Sequence, residues 1–177
     1  MFDKKHWTEI CQRVANEAQI VLPRVKHTKD KSTLVSSIFE IQAEKYFNEI
    51  GVHVKGCQTD REPDLIFPNT GACEIKVTSV QKTEVKSCKW MGGQFSKRTS
   101  DFLLITWNST KTLWGNTYFF SITHCYIDKN EWQSLDNGNN SFYGTGFDFN
   151  MLRNRKHNVI VGIETKDKFI MESFNCG

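Results

Sequence analysis

The sequence 62-EPDLIFPNTGACEIKVTS-79 contains a predicted β-hairpin that carries three charged side chains. Two apolar runs flank the segment Pro-Asn-Thr-Gly, which is typical of a turn. Side chains at positions i and i+2 of a strand share a face, so Glu74 and Lys76 project together. Closing the hairpin brings Asp64 level with both of them. The sequence therefore predicts two carboxylates and an ammonium group at one place on a sheet.

This set of side chains suits the metal-dependent hydrolysis of a phosphodiester bond. Carboxylates hold a hard divalent cation through oxygen ligands. Such a cation neutralises the scissile phosphate and lowers the pKa of a bound water molecule. A neighbouring lysine orients or deprotonates that water, or stabilises the additional negative charge. The alternative interpretation is an ordinary surface hairpin with solvated charges.

The order of these residues resembles the motif of the PD-(D/E)XK nuclease superfamily, in a match that extends from about Ser36 to Ser79. The matching residues are Pro63, Asp64, Glu74 and Lys76. The resemblance implies an α/β fold of three layers, α/β/α, with a central mixed β-sheet flanked by helices as in restriction endonucleases. It implies catalysis by Asp64, Glu74 and Lys76, with Mg²⁺ as the cofactor and Mn²⁺ able to substitute. The implied metal ligands are Asp64, Glu74 and the backbone of Ile75.

A third acid is expected from the helix that precedes the hairpin. The resemblance implies that a glutamate there joins the metal ligands, and Glu40 is our candidate for this catalytic role. Glu44, one turn later, is the second candidate. Two other interpretations of Glu40 stay open, namely the third helical position of a capping box that begins at Ser37, or a solvated helix residue.

Two clusters of basic residues predict the contacts with DNA. Lysines suit phosphate groups, whereas Arg and Gln also read the edges of bases. The first cluster follows the predicted catalytic strand directly, and the second lies nearer the C-terminus. The members are Lys82, Lys86, Lys89, Gln94, Lys97 and Arg98, then Arg153 and Arg155. A solvated run of charges is the alternative for both clusters.

The composition limits the class of protein. A chain of 177 residues is expected to form one domain, 1–177. Hydrophobic residues make up 38% and the formal net charge is +3, which indicates a globular protein whose basic surface is local. The six cysteines form no CxxC pair, which predicts free thiols in a reducing cytoplasm and no zinc site. No apolar run approaches the length of a membrane span, so no membrane is expected.

Hydrophobic spacing predicts two helices before the hairpin. Apolar residues recur every three or four positions over 4–21, and Pro23 ends this helix. The basic segment 24–33 is expected as a connection, either a mobile loop that reaches DNA or a solvated linker. A second helix is predicted over 34–50, with Gly51 as its stop.

The remaining pattern predicts strands and one long loop. The nearly all-apolar run 102–107 indicates a strand covered on both faces, and so central in the sheet. The segment 80–100 has no clear assignment. The other predicted elements are strands at 52–54, 64–67, 72–79 and 117–127, a helical turn at 128–135, a loop at 136–150, and a closing strand pair at 159–164 and 168–174.

These patterns favour an endonuclease that cleaves double-stranded DNA, most like a small type II restriction enzyme. Cutting both strands of a symmetric site needs two active sites related by a two-fold axis, so a homodimer is expected. A cognate DNA methyltransferase is the expected genetic neighbour. The alternatives are a structure-specific nuclease, such as a resolvase or repair enzyme, and a non-catalytic nucleic-acid-binding module of the same fold.

Overall fold

The computed structural model describes residues 2–59, 62–69, 71–91, 101–128 and 146–176. The helices in these ranges are α1 Lys4–Val21, α2 Thr28–Glu49 and α3 Phe149–Arg153, with a 3₁₀ turn at Leu22–Arg24. The strands are β1 Lys55–Gly56, β2 Leu65–Phe67, β3 Gly71–Ser79, β4 Glu84–Val85, β5 Lys89–Met91, β6 Asp101–Thr112, β7 Gly115–Tyr126, β8 Gly146–Asp148, β9 His157–Val161, β10 Ile163–Glu164, β11 Phe169–Ile170 and β12 Glu172–Cys176.

A mixed sheet forms the centre of the described structure. Its strand order is β1-β2-β3-β6-β7, and β12 and β9 pair with successive halves of the outer edge of β7. Strands β3 and β6 run parallel, whereas β2 with β3 and β6 with β7 form antiparallel pairs. The prediction of a mixed α/β fold with a central mixed sheet flanked by helices is therefore confirmed.

Helices α1 and α2 cover one face of this sheet. The apolar stripe of α1, which includes Trp7, is fully buried, and the helix occupies the predicted positions 4–21. The side chain of Asp3 begins α1 by accepting a hydrogen bond from a backbone N–H of the first turn. In α2, the ring of Phe39 packs edge-on against Phe120 of β7, with 5.2 Å between ring centroids. These contacts fix the two helices against the strands.

Short strands and α3 cover the opposite face of the sheet. Phe102 and Leu104 of β6 face this layer, whereas Leu103 and Ile105 face the helices, and all four are fully buried. The alternation confirms that this strand is central and covered on both faces. Trp90 of β5 lies over the second face and donates a 3.1 Å hydrogen bond from Nε1 to the carbonyl oxygen of Ile105. The third layer is thus built mainly from short strands with one short helix.

The start of α2 differs from the prediction. The segment 24–33 was expected to be a connection, but α2 begins at Thr28. Its first turns are polar and largely exposed, so they carry no apolar periodicity from which a helix is predicted. A tertiary contact supports this extension, because Trp107 Nε1 donates a 3.2 Å hydrogen bond to Ser32 Oγ. The helix ends as predicted, with Gly51 at a φ of 82°.

Two further assignments in the sequence are corrected. The strand expected at 52–54 is instead formed by the next two residues, β1. Residue Val54 is held at the end of α2, because the side chain of Asn48 hydrogen-bonds to both its N–H and its carbonyl. The end of the expected loop 136–150 forms β8 and begins α3, since Phe147 and Phe149 are buried in the third layer.

The closing strands also pair differently from the prediction. Strands β9 and β12 both join the edge of β7, and only the short strands β10 and β11 pair with each other. Register with β7 is a non-local property that the two apolar runs do not specify. The rest of the expected loop, 136–145, and most of the expected helical turn at 128–135 lie outside the described residues. No helix within the described ranges is long and apolar enough to cross a membrane.

Candidate active site

Asp64 is anchored at the open end of the predicted hairpin. Strand β2 begins at Leu65, which pairs with Cys73, so Asp64 lies one step beyond the paired residues and beside Glu74. Its Oδ2 accepts a 2.7 Å hydrogen bond from the backbone N–H of Ile75. The residue is 8% exposed. The first carboxylate is therefore held in one orientation by the neighbouring strand.

Glu74 and Lys76 project from one face of β3, as predicted. Their partners on β6 are Phe102 and Leu104, which places both on the face covered by the third layer. Lys76 Nζ lies 3.1 Å from Glu74 Oε2 and 4.0 Å from Asp64 Oδ2. Glu74 is only 2% exposed. A buried carboxylate requires a partner of opposite charge, and Lys76 supplies one.

The pKa of Glu74 reflects this crowding of charge. Burial is the largest cause that raises it, and the negative charge of Asp64 and a hydrogen bond between the two carboxyl groups raise it further. Lys76 acts in the opposite direction and lowers the pKa of Glu74. The two acids are thus within hydrogen-bond reach of each other in a poorly hydrated place. The single positive charge of Lys76 faces the two carboxyl groups of Asp64 and Glu74. The site therefore favours a further positive charge.

Glu40 of α2 belongs to the same site. Burial raises its pKa to about 7, and repulsion from Asp64 is the next largest cause. Glu74 also raises this pKa, whereas Lys76 lowers it, as does a 3.3 Å hydrogen bond from Ser36 Oγ to Glu40 Oε1. Glu40 is therefore close enough to Asp64, Glu74 and Lys76 to interact with their charges.

The position of α2 contradicts one of the alternative interpretations of Glu40. The helix begins at Thr28, after an N-cap at His27, so Glu40 lies in its middle and the capping-box interpretation is wrong. Glu44, the second candidate, contacts strand β1. Its carboxylate lies against Gly56 of β1, where a Cβ atom would overlap it.

The donor atoms fit a hard cation such as Mg²⁺. No group of three His, Cys, Asp or Glu side chains in the described ranges has the spacing of a metal-ion site. Mg²⁺ nevertheless is usually held by one or two carboxylates, with water and substrate phosphate completing its shell. Asp64 and Glu74 supply two adjacent carboxylates that repel each other, as their pKa interaction shows. Carboxylate oxygens of this kind are the donors that suit a hard cation such as Mg²⁺.

Three lysines of the first basic cluster line a cavity at the C-terminal end of β3. This cavity of about 510 Å³ begins at Thr78 and Ser79, and Lys82, Lys86 and Lys89 line it. All three lysines are exposed. At about 3.3 Å per residue, Ser79 lies about 10 Å along the strand from Lys76. The lysine-lined cavity therefore begins a short distance along β3 from Lys76.

One acid also lines this cavity, and a lysine from outside the lining residues neutralises it. Glu84 Oε2 lies 2.6 Å from Lys168 Nζ of the neighbouring β10–β11 hairpin. This contact is the largest cause that lowers the pKa of Glu84. The cavity therefore presents a net positive surface to a ligand.

The second basic cluster lies beside the first but is partly engaged in packing. Strand β8, which pairs with β5, leads directly into α3. The guanidinium carbon of Arg153 lies 5.7 Å from the centre of the Phe149 ring, and that of Arg155 lies 4.6 Å from the centre of Phe147. Arg155 Nε also donates to the carbonyl of Met151. Both arginines therefore pack against aromatic rings of the third layer. The predicted contacts Gln94, Lys97 and Arg98 lie outside the described residues.

Two histidine–acid pairs escaped the sequence analysis. His124 Nε2 lies 2.8 Å from Asp101 Oδ1, and His157 Nε2 lies 2.8 Å from Glu164 Oε2. Antiparallel pairing of β6 with β7 brings His124 and Asp101 together, whereas Glu164 lies only seven residues after His157 in the sequence. The ring of Phe2 also stacks on His124 at 3.9 Å, which is a packing role.

No protein-family model matches this chain, and a search of curated proteins found no match. Two paired carboxylates at 8% and 2% exposure, a lysine 3.1 Å from one of them and a third acid with a pKa of about 7 interact electrostatically with one another. In proteins generally, carboxylates are suitable ligands for divalent cations, and an acid with a pKa near 7 is suited to proton transfer.

Proposed function

We propose that this chain is a metal-dependent endodeoxyribonuclease of the PD-(D/E)XK type that hydrolyses phosphodiester bonds of duplex DNA. The observation that supports the proposal most is the grouping of Asp64, Glu74 and Lys76, with Lys76 Nζ 3.1 Å from Glu74 and 4.0 Å from Asp64. Site-specific cleavage of the type II restriction class is the proposed mode of action.

Each residue has a distinct role in this proposal. Asp64 and Glu74 bind Mg²⁺ or Mn²⁺ with the backbone of Ile75, and Glu40 supports this site. The cation would neutralise the scissile phosphate and lower the pKa of a water molecule when bound. Lys76 directs its ammonium group at the same place, where it orients the attacking water or balances the charge that develops on the phosphate. The exposed lysines at 82, 86 and 89 hold the DNA backbone.

The biological setting follows from the proposed activity. A type II enzyme acts in the cytoplasm, where its DNA is, and functions as a homodimer with one active site for each strand. A DNA methyltransferase of the same specificity is expected beside it, because the host must protect its own sites.

Incubation with DNA of known sequence tests the proposal. A long duplex is digested with Mg²⁺, with Mn²⁺ and with EDTA, and a four-way junction is offered separately. Discrete fragments in either metal, absent in EDTA and absent with Asp64→Asn, are the expected result. No cleavage of either substrate in both metals would contradict the nuclease proposal and leave a binding module.

The junction distinguishes the alternative nuclease. Cleavage of the junction without cleavage of the duplex replaces the restriction proposal with a structure-specific nuclease. The oligomeric state is measured in the same samples by sedimentation, with and without DNA. A monomer on uncleaved cognate duplex contradicts the proposed dimer and leaves the chemistry unaffected.

A further inference from the structure

The hairpin of β6 and β7 ends in two large apolar side chains that nothing in the proposed active site uses. Leu113 is 98% exposed and Trp114 is 90% exposed, and they form the two-residue connection between the strands. A single exposed apolar residue is common on a protein surface, but adjacent Leu and Trp residues at a protruding tip are not. The tip therefore requires a separate explanation.

Turn geometry does not provide that explanation. Two-residue hairpin loops favour Asn and Gly because the turn needs positive φ values. Here Gly115 has the positive φ, at 137°, and no non-glycine residue in the described ranges has one. Small polar residues at 113 and 114 would serve the turn equally well and would be better solvated. The apolar side chains are thus additional to what the fold requires.

The hairpin projects away from its neighbours on the catalytic side. The pairing of β6 with β3 stops at Trp107, although β6 continues to Thr112. The base of the hairpin is attached to the loop that follows β3, because Asn108 Nδ2 donates a 2.9 Å hydrogen bond to the carbonyl of Gln81. The same loop lines the lysine-rich cavity. The hairpin that carries the tip is thus connected to the surface proposed to bind DNA.

The surroundings of the tip are basic. The sequence from 108 to 117 contains Lys111 and no acid. A second cavity of about 260 Å³ at the base of the hairpin is lined by Lys31 and Lys111 together with Trp107 and Tyr118. The segment 24–33, which adjoins this cavity, has four Lys or Arg residues and a single acid, Asp30. An exposed tryptophan among lysines is a pattern suited to a nucleic acid, because rings stack on bases and lysines contact phosphates.

We propose that Leu113 and Trp114 form an apolar wedge that packs against the bases of bound DNA, with Lys31 and Lys111 contacting the flanking phosphates. This inference rests on the proposed function for its substrate. Glu74 is level with Phe102 on β6, so the tip lies about 35 Å along the strand from the carboxylates at about 3.3 Å per residue. One turn of B-DNA is also about 35 Å. The wedge therefore meets a duplex about one helical turn from the cleaved bond.

Two other occupants fit the tip less well. A second copy of the chain that met this one tip to tip would bring two basic surfaces together, which disfavours association. A lipid surface would gain only two apolar side chains on a rigid turn, which is a weak anchor. The experiment distinguishes a second copy of the chain and a lipid surface from DNA.

Binding to a labelled duplex of about 30 base pairs, measured in EDTA so that the DNA stays intact, tests the wedge. Trp114→Ala is expected to weaken binding roughly tenfold, because stacking of one base on an aromatic ring contributes on that scale. Trp114→Phe keeps a ring and is expected to lose less affinity, and Leu113→Ser tests the wedge independently. Ile163→Ala, which removes an exposed apolar side chain from β10, is the matched control and is expected to stay within twofold of the wild type.

A fluorescent base analogue gives a second readout. A duplex with 2-aminopurine at successive positions is expected to brighten on binding where its base is unstacked, about ten base pairs from the mapped cut. Trp114→Ala is expected to abolish the increase. The exposed side chain contributes little to the core, so thermal unfolding of this variant is expected to match the wild type.

Several results would overturn the wedge. Affinity of Trp114→Ala within twofold of the wild type overturns it, and cleavage by the same variants at the normal rate leaves the nuclease proposal standing. Trp114-dependent binding without any cleavage supports the wedge and contradicts the nuclease proposal. Absence of duplex binding by the wild type overturns both. Loss of the dimer, or of binding to phosphatidylserine vesicles, in Trp114→Ala with unchanged DNA affinity assigns the tip to another partner and also overturns the wedge.

Discussion

The Oδ2 atom of Asp64 accepts a 2.7 Å hydrogen bond from the backbone N–H of Ile75, which lies between Glu74 and Lys76 in the sequence. The first acid of the site is thereby fixed to the strand that carries the second acid and the lysine. This bond sets the spacing of three charged groups without any contribution from a flexible loop. Preorganised groups of this kind lose little entropy when they bind a cation or substrate.

Two substitutions of Asp64 separate its charge from its structural hydrogen bond. Asp64→Asn removes the charge but keeps an oxygen that accepts from Ile75, whereas Asp64→Ala leaves that buried N–H without a partner. Both are expected to abolish cleavage of plasmid DNA. The free energy of unfolding of Asp64→Ala is expected to be about 1–3 kcal/mol lower than that of Asp64→Asn. This difference is the cost of one unsatisfied buried group. Urea denaturation measures this difference, and cleavage by folded Asp64→Asn at the wild-type rate contradicts the metal-ligand role.

Substitution of Lys76 is expected to affect turnover more than binding of the metal. Lys76→Met keeps the length of the side chain and removes its charge, so the cleavage rate should fall by roughly two orders of magnitude or more at saturating Mg²⁺. Because Lys76 lowers the pKa of Glu74, the same variant should raise that pKa further in the metal-free protein, which carboxyl NMR titration measures.

Lys76→Arg is the matched variant for this prediction. It keeps the positive charge but does not deprotonate water. A rate near that of the wild type assigns Lys76 an electrostatic role, and a rate as low as that of Lys76→Met assigns it proton transfer or exact positioning of the water. Unchanged cleavage by Lys76→Met would show that this lysine has no part in the reaction.

The site was predictable from the sequence where it depends on local periodicity. The i, i+2 spacing of Glu74 and Lys76 fixes their common face, and helix α1 follows the apolar spacing over 4–21. The position of Asp64 beside them follows from the short turn alone. Such features need no knowledge of which strand pairs with which.

Features that depend on long-range register were not predictable. The partner of His124 is Asp101, which reaches it only because β6 and β7 pair along their full length. The first turns of α2 are polar and supported by Trp107, a residue 75 positions from its hydrogen-bond partner Ser32. The raised pKa of Glu40 likewise arises from burial and from charges on other elements.

Glu40 is expected to make the stability of the metal-free protein depend on pH. Its pKa is raised from an ordinary value of 4.5 to about 7 in the folded state, so folding favours the protonated form. The stability that this group contributes is present below pH 4.5 and is lost as the pH rises to about 7. Glu40→Gln removes that loss. The free energy of unfolding of Glu40→Gln should therefore equal that of the wild type near pH 4.5. At pH 8 it should be about 2 kcal/mol higher.

Urea denaturation in EDTA between pH 4.5 and 8 measures the difference. Glu44→Gln, on the same helix but against Gly56, supplies the baseline for replacing a glutamate in α2. Saturating Mg²⁺ should reduce the advantage of Glu40→Gln, because a bound cation stabilises the ionised carboxylate. A difference between Glu40→Gln and the wild type that stays constant across this range contradicts the placement of Glu40 among the other charges.

The lysines of the cavity are expected to act through phosphate contacts. The double variant Lys82→Ala/Lys86→Ala should weaken binding to any duplex, and the slope of log affinity against log salt should become shallower by about 2, since each phosphate contact contributes about 0.9. Fluorescence anisotropy, measured in EDTA at salt concentrations from about 50 to about 200 mM, gives this slope. Lys45→Ala, which removes an exposed lysine from α2 away from the cavity, is the control and should leave the slope unchanged. A slope in the double variant equal to that of the wild type would show that the cavity lies off the path of the DNA. A loss of affinity for one DNA sequence alone would indicate base recognition instead of phosphate contact.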